Sequence, residues 1–441
     1  MRTPLRSRRT ALTGATALLL TLAVSPAAVA DTHQAQRQGG SLVLIGGGLK
    51  ENNTQVYGEI IERAGGARAR IGVITASSVP AAQDPYADDP DRCSNSECNG
   101  AYYSDLFKRH GAADAQWIPV DLDHIANADS AAVVRQVNSM SGFFFGGGDQ
   151  SRYLTTLLNG AAHTDSKVLA AIRAKLAKGA VVAGSSAGAQ IAAGADMVTG
   201  GESYEGLRDG SSPGYFEDAT RLGYEPDGGF GFLGSGLIDT HTGAYGREGR
   251  AIRLAADTGH DRVYALEENT ALVVEQPGGP RERLRILGPR GVAVLDLRRA
   301  RATTTPPSWK RKESGAPGRG WSLSGVRYSY LTDGDRYDPR HWRALPAPGK
   351  RPLAPRSATP VPTNTDVFYS VANPAGVPYS FLTTARALAA TRVQQQAEAT
   401  TYEGGPRFTV TFRKAPGFTA WGTNDAAPQT LTGLDIRITG R

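Results

Sequence analysis

Gly184-Ser185-Ser186-Ala187-Gly188 directly follows the apolar run Ala180-Val181-Val182-Ala183 and opens onto the small residues 187–193. A short continuous apolar run bounded by glycine reads as a buried strand, and the small residues after it as the start of a helix. A Gly-x-Ser-x-Gly at a strand-to-helix junction has the form of a nucleophile elbow. The turn is so tight that only small residues fit on either side of the serine. The Ser186 hydroxyl is then held out at the end of the sheet, with the first N–H groups of the helix beside it, facing a developing oxyanion. The other reading of the pentapeptide is an ordinary Gly/Ser-rich loop. Its position between strand and helix favours the nucleophile.

An elbow needs a sheet, and the chain around it supplies one. From residue 41 to 193 apolar runs alternate with helical patterns. Leu42-Val43-Leu44-Ile45, Ile71-Gly72-Val73-Ile74, Trp117-Ile118-Pro119-Val120 and Gly142-Phe143-Phe144-Phe145 read as strands, and 56–64, 101–110 and 166–178 as helices. Strands apolar on both faces and separated by helices predict an α/β fold, a mostly parallel sheet flanked by helices. Sites in such sheets form at the carboxyl ends of the strands. Residues 200–229 are Gly-rich and irregular and read as a loop region over that site. The runs at 263–266, 271–274, 284–287 and 292–295 predict antiparallel additions at the sheet edge. One large domain is expected over 41–340. Prolines at 346, 348, 352, 355, 360 and 362 mark 341–363 as a linker. Residues 364–441 are expected to form a small mixed or β-rich module without a catalytic signature.

Residues 1–30 lie outside this fold. Arg2, Arg6, Arg8 and Arg9 precede an apolar stretch at 11–24 and the small-x-small signal Ala28-Val29-Ala30. This is the pattern of a secretory signal peptide cleaved after Ala30. Ser7-Arg8-Arg9 is a weak twin-arginine signal. Secretion is therefore expected, with no membrane attachment after cleavage. The formal charge of +7 falls to +3 once those four arginines are removed, and no Lys/Arg run with interleaved aromatics follows. Nucleic acid is excluded as a partner on that ground. In an oxidising compartment the only two cysteines, Cys93 and Cys98, are expected to form a local disulfide. Without a neighbouring histidine they make a poor zinc pair.

A serine nucleophile needs a base, and the base an orienting acid. Of seven histidines, six lie at the N-terminus, at a helix end, beside the linker or in polar connections. His241 instead follows Gly236-Leu237-Ile238-Asp239-Thr240, an apolar entry into a strand end. Glu267-Glu268, between two apolar runs, offers the acid; the plainer reading there is a polar hairpin turn. Gly146-Gly147-Gly148 follows a strand, where backbone N–H groups can approach a ligand closely. Gly46-Gly47-Gly48 has neither dinucleotide nor P-loop spacing, so nucleotide binding is discounted.

The GGGDQ run at 146–150, AGSSAGA at 183–189, IDTH at 238–241 with RxGR at 247–250, and LEENTALVV at 266–274 occur in an order that resembles the cyanophycinase family. That is a serine peptidase family which also contains aspartyl dipeptidase. ITASS at 74–78 and DGDRYD at 333–338 are similar to further family segments, so the resemblance spans roughly 41–340. It implies a class I glutamine-amidotransferase-like sheet. It also implies Ser186 as nucleophile, His241 as base, Glu268 as acid, and Gly148 and Ala187 as oxyanion-hole donors. Gln150, Asp239, Arg247 and Arg250 match residues that recognise a β-Asp-Arg unit. Tyr245 stands where the family often has a further arginine. The implied activity is hydrolysis of cyanophycin, a polyaspartate bearing β-linked arginines, to β-Asp-Arg dipeptides, with no cofactor and no metal. A related aspartyl or isoaspartyl peptidase and a non-catalytic binding module are the alternatives. A homodimer stays compatible with the chain.

Overall fold

A computed structural model describes residues 39–304, 320–423 and 428–440. The signal sequence expected at 1–30 lies outside the described residues.

Five parallel strands form one side of a nine-stranded sheet, from its middle to one edge. Their order is Ser41–Ile45, Val181–Ser185, Gly142–Phe145, Arg70–Ile74 and Asp114–Trp117. Alternate side chains enter different cores. Leu42 and Leu44 join Phe143, Phe145 and Val182 on one face, while Val43 and Ile45 join Phe144, Val181 and Ala183 on the other. This period of two, with both faces covered, is why the runs read as continuously apolar. The connecting helices are capped by side chains that accept otherwise unpaired N–H groups. Asn53 caps Thr54–Arg63, Asn95 caps Ser96–Arg109, Asp149 caps Gln150–Leu157 and Ser166 caps Lys167–Ala177. Cys93 and Cys98 are disulfide-bonded just ahead of and inside the second of these.

The antiparallel additions are present but divide between two sheets. Ala271–Glu275 and Arg283–Leu287 extend the central sheet beyond Ser41–Ile45. Arg262–Leu266 and Gly291–Asp296 instead pair with each other in a second, ten-stranded sheet. The chain therefore crosses from one sheet to the other through residues 267–270. That segment is not a hairpin turn, because the strands on either side of it do not pair.

The expected linker and separate C-terminal module are corrected. Thr430–Gly440 pairs with Trp321–Thr332 on one side and Phe408–Arg413 on the other, inside the second sheet. Within 341–363, Arg351–Leu353 pairs with Thr419–Gly422. The described residues make one compact unit. Proline-rich composition marks surface chain, but strand pairing decides whether that chain separates two bodies. In this C-terminal stretch Ser380–Ala390 is a helix and Gln396–Thr400 a strand. The Gly-rich region after residue 194 holds a helix, Ser203–Asp209, and a small sheet of Met197–Gly200, Gly223–Glu225 and Ser212–Pro213. No helix among the described residues is long and apolar enough to cross a membrane.

Candidate active site

Ser186 sits past the end of Val181–Ser185 with φ 55° and ψ −117°, a conformation that L-residues rarely adopt. Its N–H donates to the Ile45 carbonyl at 3.0 Å. A Cβ at Gly184 would lie 2.0 Å from the Gly188 carbonyl oxygen, and one at Gly188 would lie 2.1 Å from that of Phe145. Both flanking glycines are thus obligatory, as the elbow pattern requires.

His241 follows the strand Leu237–Asp239 and is also in the left-handed region, at φ 56°. Its Nε2 lies 2.7 Å from Ser186 Oγ, and its Nδ1 lies 2.7 Å from Glu268 Oε1. With Nδ1–H donating to the carboxylate, Nε2 accepts from the serine hydroxyl, which is the tautomer a general base needs. Burial holds the imidazole below its usual pKa and Arg247 adds to this, while the Glu268 hydrogen bond opposes it. The ring is therefore neutral, and able to accept a proton, over the neutral range.

The second glycine loop is the part that sequence reasoning missed. A Cβ at Gly47 would lie 2.1 Å from His241 Cε1, and one at Gly48 would lie 3.1 Å from the Glu268 carboxyl carbon. Gly46 accepts from the His241 N–H, and Gly47 from the Asn269 N–H. Asn269 in turn accepts from Lys50 N–H and Asn53 Nδ2. The loop seats both His241 and Glu268; its only signal in the sequence was a glycine run with no nucleotide spacing. Glu267 faces elsewhere. It is 1% exposed and accepts from the Gly243 N–H, and burial pushes its carboxyl up to about 7.

Gly147 packs beside Ser186, 3.4 Å from a Cβ at the glycine to the serine Cβ. Ser77 Oγ donates to the Gly147 carbonyl and Tyr153 Oη to the Gly146 carbonyl, fixing this loop. Among the described residues, no backbone carbonyl accepts from the N–H of Gly148 or of Ala187. Both N–H groups thus lack a backbone acceptor, Ala187 directly after Ser186 and Gly148 directly after Gly147.

The expected recognition residues are arranged differently from the sequence reading. Gln150 Nε2 donates to the Val198 and Thr199 carbonyls, leaving its amide oxygen as an acceptor. Asp239 and Arg250 do not stand free to meet a ligand. They form a bidentate ion pair at 2.6 and 2.8 Å, with side chains 3% and 5% exposed. The Arg250 guanidinium also donates from Nη1 to the Gly201 carbonyl, and the Arg250 N–H donates to Ser203 Oγ. Strand, turn and helix bring the two within reach because a buried guanidinium requires a carboxylate. Arg247 has no carboxylate within ion-pair distance among the described residues. Its Nη1 donates to the Thr240 carbonyl, and its buried Nε has no partner. Burial, and after it Arg250, lowers the guanidinium to about 10. Tyr245 lies against His241, and the Arg247 guanidinium carbon stands 4.8 Å from the Tyr245 ring centroid.

An α/β sheet that presents a serine on a strained turn, against a histidine backed by a carboxylate, has the architecture of a serine hydrolase. The chain belongs to peptidase family S51, whose model matches residues 42–278, and it is a serine-type peptidase. It is 27% identical over 311 residues to cyanophycinases of Synechococcus elongatus and of Thermosynechococcus vestitus, covering 70% of this chain and 82% of each relative. Among solved structures it is similar to a peptidase from an acI-B1 Actinobacterium, with a TM-score of 0.40 and 18% identity over 58% of this chain and 91% of the other.

Proposed function

We propose that this protein is an exported cyanophycinase-like serine exopeptidase that releases β-Asp-Arg dipeptides from cyanophycin. The observation that carries the reading is the continuous hydrogen-bonded chain from Ser186 Oγ through His241 to Glu268. Ser186 Oγ attacks the scissile carbonyl carbon as His241 Nε2 takes its proton. Glu268 stabilises the imidazolium, and the N–H groups of Gly148 and Ala187 receive the oxyanion. The C–N bond breaks as His241 returns the proton to the leaving amine, leaving an ester on Ser186. Water, deprotonated by the same histidine, hydrolyses that ester to a carboxylate and restores the serine. Arg247 stands beside His241 and, among the described residues, has no carboxylate within ion-pair distance, so it is suited to hold a substrate carboxylate. The names of the two 27% identical relatives support the substrate, and residues 1–30 support export.

Two observations favour a second reading, a peptidase for another β-aspartyl or isoaspartyl peptide. Tyr245 replaces a basic residue, and Asp239 is engaged by Arg250 instead of being open to a substrate guanidinium. Incubation with insoluble cyanophycin, followed by mass spectrometry, decides between them. β-Asp-Arg is the expected product. Intact polymer together with cleavage of β-aspartyl dipeptides would establish the second reading.

A further inference from the structure

Three side chains of metal-ligating type converge away from Ser186. His163, Glu225 and Asp227 each offer one ligand atom, all within 4.8 Å of one another. His163 Nδ1 is buried and has no hydrogen-bond partner, and it faces Asp227 Oδ2 at 3.8 Å. That gap is too long for a hydrogen bond. It suits two ligands of one ion, since donors about 2.1 Å from zinc stand roughly 3.4–4.2 Å apart.

A backbone turn sets the spacing of the two acidic residues, and a backbone N–H reaches the Glu225 carboxylate. Gly228 N–H donates to the Glu225 carbonyl across Pro226-Asp227, a β-turn with proline at its second position. Glu225 Oε1 accepts from the Asp227 N–H at 3.4 Å. His163 arrives from another part of the chain, the short hairpin of Leu158–Asn159 and Thr164–Asp165, where its own N–H donates to the Gly160 carbonyl.

We infer that His163, Glu225 and Asp227 form a structural site for a divalent first-row transition cation, of which zinc is the type. One imidazole with two carboxylates selects such an ion over calcium or magnesium, which take oxygen ligands. The ion takes no part in the serine chemistry and braces one wall of the site. The hairpin carrying His163 follows the helix Gln150–Leu157. Glu225 ends a strand paired to Met197–Gly200, whose carbonyls hold Gln150. The ion therefore joins both supports of Gln150. The sequence reading weighed only the cysteines for zinc, because His163 and the Glu-Pro-Asp turn are far apart in the chain.

The test uses untagged full-length protein stripped with chelator and titrated calorimetrically with Zn2+, and separately with Ca2+, alongside thermal unfolding. One Zn2+ per chain and a higher Tm are expected, and Ca2+ should be bound more weakly. His163→Ala and Asp227→Asn should each weaken Zn2+ binding by about tenfold or more. His241→Ala should leave it unchanged, which separates this site from the reactive histidine. No Zn2+ uptake by the wild type, binding by His163→Ala equal to wild type, or preference for Ca2+ would each overturn the assignment.

Discussion

Tyr245 lies flat on His241, with 4.8 Å between ring centroids and 5° between planes. The tyrosine is 47% exposed, so it forms a lid between the imidazole and solvent. Removing it rehydrates the imidazole, and hydration favours the charged form. Tyr245→Ala should therefore raise the His241 pKa and move the acid limb of kcat/KM to higher pH. Tyr245→Phe should leave the limb in place. The limb itself runs in the direction of a base that must be neutral: activity falls as pH drops through the His241 pKa, which lies below its ordinary value of 6.5. An acid limb unmoved in Tyr245→Ala would show that the stacking does not tune the base.

Ser186→Ala should reduce kcat by roughly 10⁴–10⁶-fold while the protein stays folded. Ser185→Ala, in the strand just before it, should be mild. Labelling by a serine-directed fluorophosphonate small enough to enter the site should be lost only in the first. Loss in Ser185→Ala alone would place the nucleophile one residue earlier.

Glu268→Gln should lower kcat strongly, by roughly 10⁴-fold, because the amide can impose the wrong tautomer on His241. Glu267→Gln should keep activity and alter pH stability instead. The Glu267 carboxyl titrates at about 7 in the folded chain against an ordinary 4.5. The folded state is thus favoured by its protonated form below 4.5 and loses that advantage as pH rises through about 7. Urea unfolding at pH 5 and pH 9 should show a wild-type loss of up to about 3 kcal/mol from this group, absent in Glu267→Gln.

Gly47→Ala should inactivate the enzyme although Gly47 bears no functional group. A Cβ there would meet the His241 ring at 2.1 Å, and φ is +102°. The backbone strain is about 1–3 kcal/mol, so part of the population should stay folded with its base displaced. Circular dichroism together with kcat on the folded fraction separates misplacement from unfolding. Near-wild-type kcat would mean that the loop gives way without moving His241.

Asp239→Ala leaves the buried Arg250 unpaired and should cost about 3–5 kcal/mol of stability. Arg247→Ala breaks no ion pair and should cost much less, yet raise KM for substrates with a free carboxylate. Chemical denaturation and steady-state kinetics on the two variants read these effects separately. Equal losses of stability would erase the distinction between a structural and a binding arginine.

The sequence by itself determined the parallel core and the elbow, because both follow from short-range rules. Alternation of side chains across a strand makes a two-sided core visible as a continuous apolar run, and the Gly184 and Gly188 contacts with Gly188 and Phe145 leave no room for a Cβ. His241 stood out by its apolar entry into a strand end and Glu267-Glu268 by its place between two apolar runs, but only the order of family segments singled out Glu268 and tied both residues to Ser186. Tertiary structure alone decided the rest. It drew Gly47 and Gly48 under a histidine and a glutamate about two hundred residues away. It closed Asp239 onto Arg250 and allotted neighbouring strands to two different sheets. It also drew Thr430–Gly440 into the second sheet, across the stretch expected to be a linker. The reason is the same in each case. Which distant groups meet depends on how whole faces are buried and on the pairing that buried charges require, and neither is set by the residues next to them in the chain.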